Sequence, residues 1–390
     1  MIPDTLPEQS MQRELFDADH DLFRESVAEF LKREVVPFHD QWEKDGIVPR
    51  EVWVKAGEVG LLGHGVPEEY GGTGLNDYRY NQIVNEEICR AHGSGLGVTL
   101  QNDVMAPYMV GLTTDEQKKR WLPGFAGGEL ITAIAMTEPG TGSDLQGIKT
   151  SAVRDGDEYV VNGSKTFITN GINADLVVVV CQTDPEAGAQ GFSLIAVERG
   201  MAGFERGRNL DKIGMKAQDT AELFFDNVRV PAANLIGTEG QGFIHLLQNL
   251  PQERLSIATC AVASADYMLQ HTIDYCRERT AFGRSIGRFQ NTRFVLAELA
   301  TEVDLGRTYV DRGVELLNKG ELTVEDAAKA KWWTTEMCNR VMDRCLQLHG
   351  GYGYMMEYPV ARAWQDTRVQ TIYGGTTEIM KEIVGRGLGL

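Results

Sequence analysis

The sequence predicts an α+β protein with a helical N-terminal domain, an antiparallel β middle domain and a C-terminal four-helix bundle. Three observations carry this. Strand-like apolar runs are confined to roughly Glu129–Leu235, and turn signals separate them. Helical periodicity lies on both sides of that stretch, with its longest patterns after it. Helices and strands do not alternate, so a doubly wound nucleotide-binding sheet is disfavoured. The expected boundaries are 1–128, 129–236 and 237–390.

In the first part, Asp17 to Phe38, Asp77 to His92 and Asp115 to Phe125 have helical texture, with Thr113, Thr114 or Asp115 as the cap of the third. Gly93, Gly95 and Gly97 either leave room beside a pocket or simply make a loop. In the middle, Leu130–Met136, Tyr159–Val161, Leu176–Cys181, Phe192–Val197 and Leu223–Phe225 read as strands. Asp155-Gly156, Asn162-Gly163 and Asn170-Gly171 read as their turns. After Thr323, residues Ala327, Ala330, Thr334, Met337, Val341, Cys345 and Leu348 recur at three- and four-residue steps, which is one face of a helix. Arg288 to Asn318 behaves alike. The pair Trp332 and Trp333 reads as core or interface.

The chain has 390 residues, 42% hydrophobic and 24% charged, enough apolar material for a large core. Its net charge of −18 makes DNA, RNA and anionic membrane surfaces poor partners. No window reaches the roughly 18 consecutive apolar residues of a membrane span. The first residues, through Leu15, are acidic and contain proline, unlike a secretory or mitochondrial leader. Six cysteines without C-x-x-C spacing read as buried thiols rather than a metal site or disulfide framework, which suits a cytoplasmic setting.

The segment Met136-Thr137-Glu138-Pro139-Gly140-Thr141-Gly142-Ser143-Asp144 combines glycines that let backbone approach a ligand with neutral hydroxyls. On its own it reads as a loop after a strand, and no Gly-Lys-Ser/Thr follows to make it a phosphate loop. Arg277 and Arg279 alone read as a solvated helix end. His349 alone has no metal-like neighbours. A lone Glu253 would be expected on the surface. Two residues before it, however, Pro251 lacks an N–H and crowds the carbonyl of Leu247, so the helix should kink or restart at a cost of about 3 kcal/mol.

Together these segments resemble the acyl-CoA dehydrogenase family. Thr137 to Asp144 is similar to its Thr-Glu-Pro-Gly-x-Gly-Ser-Asp signature, and Phe167-Ile168-Thr169-Asn170-Gly171 to its second flavin segment, where tryptophan is frequent at the Phe167 position. Arg279-Thr280-Ala281-Phe282-Gly283 resembles the family's diphosphate-binding arginine motif, and Gln347 to Gly353 its glycine-rich turn. Tyr373-Gly374-Gly375-Thr376-Thr377-Glu378-Ile379 resembles another flavin-contacting signature, in which the residue after tyrosine is frequently the catalytic glutamate. Here it is Gly374. The segment Leu250-Pro251-Gln252-Glu253-Arg254-Leu255 resembles the members, typified by the long-chain enzyme, that carry the glutamate on a different helix. The match runs from about Asp17 to the end.

The resemblance implies FAD as cofactor. Ala135, Met136, Thr137, Gly142, Ser143, Phe167, Ile168, Thr169, Thr376 and Glu378 would meet it within one chain. Arg279, Phe282, Gln290, Gln347, Leu348, Gly350 and Gly351 would meet the diphosphate and adenosine of a neighbouring subunit's FAD. Ser143, Arg254, Tyr373, Gly375 and Arg386 would contact the acyl-CoA. No metal is implied. A CoA ester is anionic, so it would need a local basic patch that the net charge does not reveal.

The implied reaction is α,β-dehydrogenation of a long-chain, branched or bulky acyl-CoA to the trans-2-enoyl-CoA. Glu253 would remove the α-proton and flavin N5 would accept the β-hydride. The backbone N–H of Gly374 would hold the thioester oxygen, as glutamate's would. Burial against an acyl chain should raise the base's pKa. Electron-transfer flavoprotein is the implied acceptor and a homotetramer the implied assembly. A flavin oxidase or monooxygenase of the same fold, an isovaleryl-CoA-like enzyme and a catalytically inert acyl-CoA-binding homologue are the alternatives.

Overall fold

The computed structural model describes residues 13–390, so the acidic N-terminal stretch lies outside the described residues except for Arg13 to Leu15. Helix α1 (Ala18–Glu34) starts where Asp17 caps it, its carboxylate accepting from the N–H groups of Asp19 and His20. It ends before the expected Phe38. Pro37 disfavours helical backbone at Val36, and the chain turns there into α2 (His39–Asp45). α3 (Arg50–Glu58) and α4 (Tyr78–Arg90) follow, the latter capped by Asp77. A π-helical turn, Leu100–Met105, runs straight into α5 (Ala106–Gly111). α6 (Asp115–Gly127) is capped by Thr114, one of the three candidates.

Gly95 opens no pocket space. A Cβ there would collide with Ala217, so the glycine lets the loop press against the β layer.

The middle region is one eight-stranded sheet: β1 (Thr132–Ala135), β2 (Ser151–Asp155), β3 (Glu158–Thr169), β4 (Leu176–Gln182), β5 (Phe192–Glu198), β6 (Phe204–Asn209), β7 (Thr220–Pro231) and β8 (Leu235–Ile236). The order is β6-β7-β3-β2-β4-β5-β8, with β1 on β4. Most pairings are antiparallel, as expected. β1 runs parallel to β4, however, with Ala133 opposite Val177, because its strand enters from a helix rather than a hairpin. Asn162-Gly163 is no turn either. It lies inside β3 at a register shift against β7.

The run Leu176–Cys181 is wholly buried because its two faces serve two cores. Val177, Val179 and Cys181 fill the β layer, whereas Leu176, Val178 and Val180 pack toward Tyr108, Trp121 and Phe125 of the helices and Leu246 of the bundle. β4 thereby welds the three regions together.

The C-terminal region comprises α7 (Gly242–Glu278), α8 (Gln290–Asn318), α9 (Val324–His349), α10 (Pro359–Thr367) and α11 (Thr377–Gly387). A small ribbon, β9 (Thr280–Ala281) with β10 (Arg284–Ser285), joins α7 to α8. The helix does not restart at Pro251. α7 continues unbroken through it, since a single missing N–H is outweighed by packing on both sides. Ala258, Ala261, Ala265 and Val262 of α7 meet Val303 and Val310 of α8 and Met337 and Val341 of α9. Small residues on α7 let the helices close around it. Its first half also contacts α4 and the π-helical turn, and that placement sets the site. Among the described residues no helix is long and apolar enough to cross a membrane.

Candidate active site

The ends of β1 and β3 lie side by side, Thr166 N–H donating to Thr137 C=O at 2.9 Å. Below them Lys165, wholly buried, donates to Met136 C=O at 3.0 Å and to Glu138 at 2.9 Å. Glu138 also accepts from the N–H groups of Lys149 and Thr150, both at 2.8 Å. Burial alone would raise its pKa, but these donors and the lysine charge hold it below the usual carboxylate value. This clamp presents a ligand-ready edge. Ala135 is buried, Met136 and Thr137 half-buried, and Gly142 and Ser143 exposed. At the end of β3, Phe167 takes a left-handed backbone (φ 59°) and leaves its ring 68% exposed, while Ile168 is buried and Thr169 half-buried.

The second constellation is buried in the helices. Glu253, 7% exposed, faces α5, where Tyr108 O–H donates to its Oε1 at 3.0 Å. On either side of it along α7, Gln252 donates to the backbone carbonyl of Asp103 at 2.8 Å and Ser256 donates to the Asp103 carboxylate. That carboxylate also accepts from Asn81 at 2.8 Å and Asn85 at 2.6 Å, so the π-helical turn is pinned to both α4 and α7. Burial drives the Glu253 carboxyl up to about 7, against the opposing effects of the Tyr108 hydrogen bond and the Arg254 charge.

One turn further, Ile257 reaches Gly374. The glycine sits at φ 65°, and a Cβ on it would collide with Ile257 Cδ1. A side chain at 374 would therefore be strained by the backbone and would have to displace the end of the Ile257 side chain. Next to it, the buried ammonium of Lys331 donates to Gly375 C=O at 2.7 Å, and burial lowers its pKa to about 8. Arg254 is buried close to Gly375, and among the described residues its guanidinium has no hydrogen-bond or ion-pair partner. Tyr373 is exposed, Thr376 caps α11, and Glu378 is exposed in its first turn. Arg386 stands apart, roughly 15 Å along α11 from Thr376, exposed and paired with Glu382 at 2.6 Å.

A third group lines a cleft of about 550 Å³ at the far ends of α7 and α9. Arg279, Gln347, Leu348, Gly350 and Gly351 converge there, with the Arg279 guanidinium over the Tyr352 ring. Phe282, at the tip of the β9–β10 ribbon, is 95% exposed, and Gln290 begins α8.

Tyr108, Lys165 and Lys331 escaped the sequence reading. Lys165 keeps the strand parity of Tyr159 and Val161, and Lys331 lies four residues after Ala327, so both positions carried an inward-facing signal. Tyr108 had none.

Comparison with known proteins identifies the family of the chain. The N-terminal, middle and C-terminal domain models of acyl-CoA dehydrogenase match residues 17–129, 133–228 and 240–389. The chain belongs to the acyl-CoA dehydrogenase family. The rat (Rattus norvegicus) mitochondrial long-chain specific acyl-CoA dehydrogenase is 49% identical over 376 residues, covering 96% of this chain and 87% of that one. Potato (Solanum tuberosum) mitochondrial isovaleryl-CoA dehydrogenase is 37% identical over 377 residues, covering 96% and 91%. The crystal structure of an acyl-CoA dehydrogenase from Geobacillus kaustophilus superposes with a TM-score of 0.95 at 51% identity, covering 97% of this chain and all of that one.

As a member of this family the chain is an FAD-dependent oxidoreductase. Its residues fit that cofactor. An outward-facing aromatic ring and open backbone at the ends of β1 and β3 suit a flat ring system. An arginine without an ion-pair partner among the described residues, over a cleft with two uncrowded glycines, suits a diphosphate.

Proposed function

We propose that this acyl-CoA dehydrogenase acts on long-chain acyl-CoA thioesters and that Glu253 is its base. The carrying observation is a buried carboxylate with no ion-pair partner among the described residues, poised near neutrality one helical turn from the residue that packs on Gly374. FAD, when bound, supplies the acceptor for the hydride that leaves the β-carbon. Glu253 takes the α-proton on Oε2, since Oε1 is engaged by Tyr108. Gly374 offers its N–H to the thioester oxygen. Lys331, fixed on the next carbonyl, and Arg254 place positive charge behind that oxygen as it gains electron density.

Ala135, Met136, Thr137, Gly142, Ser143, Phe167, Ile168, Thr169, Thr376 and Glu378 are the proposed FAD contacts of one chain. Ser143, Tyr373, Gly375, Arg254 and Arg386 are the proposed acyl-CoA contacts. Arg279, Phe282, Gln290, Gln347, Leu348, Gly350 and Gly351 serve the FAD of a neighbouring copy. Arg279 lies at the far end of α7, roughly 39 Å from Glu253, beyond the span of one cofactor. A homotetramer would also cover exposed Phe282, Phe294 and Leu305. Domain limits of 1–128, 129–236 and 237–390, a cytoplasmic location and electron-transfer flavoprotein as acceptor complete the reading. Six unpaired cysteines support the location.

An anaerobic absorbance titration with saturated acyl-CoAs from short to long, plus isovaleryl-CoA, tests the substrate class. Bleaching should be fastest with a long straight chain. Preference for isovaleryl-CoA, or fast peroxide release in air, would overturn it.

A further inference from the structure

Tyr108 has no exposed surface, and its hydroxyl ends on Glu253 Oε1 at 3.0 Å. We propose that Tyr108 is a positioning residue for the base, its phenol donating to one oxygen of the ionised Glu253 carboxylate and leaving the other oxygen free to take the proton. The proposal rests on Glu253 being the base.

Geometry carries it. Both ends of the bond are fixed. The Gln252 and Ser256 bonds to Asp103 bracket Glu253 on α7 and lock the π-helical turn that leads directly into α5. Tyr108 therefore cannot drift along α7, and its register to Glu253 is set within about one helical turn. The ring itself packs in an apolar cluster with Trp121, Phe125 and Leu246, so its hydroxyl is a polar tip that must find a partner in the interior. It finds a carboxylate with no ion-pair partner among the described residues.

Charged groups around Glu253 are few. Tyr108 faces it from α5 and Arg254 flanks it on α7, acting through charge without an ion pair. Asp103, on the π-helical turn, spends its oxygens on Asn81, Asn85, Tyr78 and Ser256. Lys331, on α9, spends its ammonium on Gly375. The phenol is thus the hydrogen-bond donor that stabilises the ionised base. Removing it should make the proton harder to lose and should not otherwise alter the reaction.

The test follows flavin reduction by palmitoyl-CoA under anaerobic conditions in Tyr108→Phe holoenzyme across the neutral pH range. The acid limb should move up by about one pH unit, with a roughly fivefold loss near pH 7 and wild-type rates recovered at alkaline pH. An infrared titration of the Glu253 carboxyl in the resting protein, wild type minus Glu253→Gln, should show the same upward shift. Site-specific 3-fluorotyrosine at 108, a more acidic phenol of nearly native size, should move both midpoints down and serves if the Phe variant does not fold. A loss equal at all pH values with unmoved infrared midpoints would overturn the proposal. If Glu253→Gln is inert while both Tyr108 variants leave the midpoints unmoved, Tyr108 alone loses its role. If Glu253→Gln reduces flavin at the wild-type rate, the base assignment falls and the proposal with it.

Discussion

The two halves of the site bury charge in opposite ways. Beneath the β1 and β3 ends, Lys165 and Glu138 neutralise each other, and what reaches the surface is backbone, hydroxyl and a phenylalanine ring. Between α5, α7, α9 and α11, Glu253, Arg254 and Lys331 are all buried, yet none has an ion-pair partner among the described residues. A phenol serves the first and a carbonyl the third. In the compensated pair the lysine charge and the backbone donors keep Glu138 below the usual carboxylate value, and the pair shapes a surface, whereas Glu253 and Lys331 are pushed toward neutrality, where proton transfer is cheapest. One half is built to hold a ligand and the other to react with it.

Breaking the compensated pair should have the largest effect on stability. Lys165→Met leaves Glu138 buried with its two backbone donors alone and should cost roughly 3–5 kcal/mol in urea unfolding, with loss of bound flavin. A variant as stable as wild type would erase the distinction between the halves.

Removing an uncompensated charge should do the reverse. The folded-state pKa of Glu253 is raised from 4.5 to about 7, so the protonated form stabilises below about pH 4.5 and that contribution is lost as pH rises through 7. Glu253→Gln should therefore be the more stable protein at pH 8, by about 3 kcal/mol, with the gap closing in acid. Destabilisation at pH 8 would contradict the assigned burial cost.

Gly374→Ala forces a Cβ onto a left-handed backbone and into Ile257, which should cost about 1–3 kcal/mol. Adding Ile257→Ala should recover part of that loss. Simple additivity of the two would show that they do not touch. The smallest effect is expected at Arg386→Ala, where an exposed contact should raise KM for acyl-CoA about two- to fivefold and leave kcat unchanged.

The same contrast governs what was legible. Helix starts at Asp17 and Asp77, Thr114 among the three candidate caps of α6, the apolar face of α9 and the strands from Leu176 and Phe192 follow from local chemistry, and the structure has them. The parallel seat of β1 on β4 depends on which strand lies next in space, which no local pattern states. Likewise, motif resemblance pointed to Glu253 and Gly374. Tyr108 pairs with Glu253 across 145 positions, and Ile257 closes on Gly374 from another helix. Such partners are products of packing.

Anaerobic flavin reduction by a long-chain acyl-CoA, compared between wild type and Glu253→Gln, tests the central claim most directly. The variant should bind FAD yet bleach about 10²–10⁴-fold more slowly than wild type. Bleaching at the wild-type rate would show that the α-proton leaves by another base.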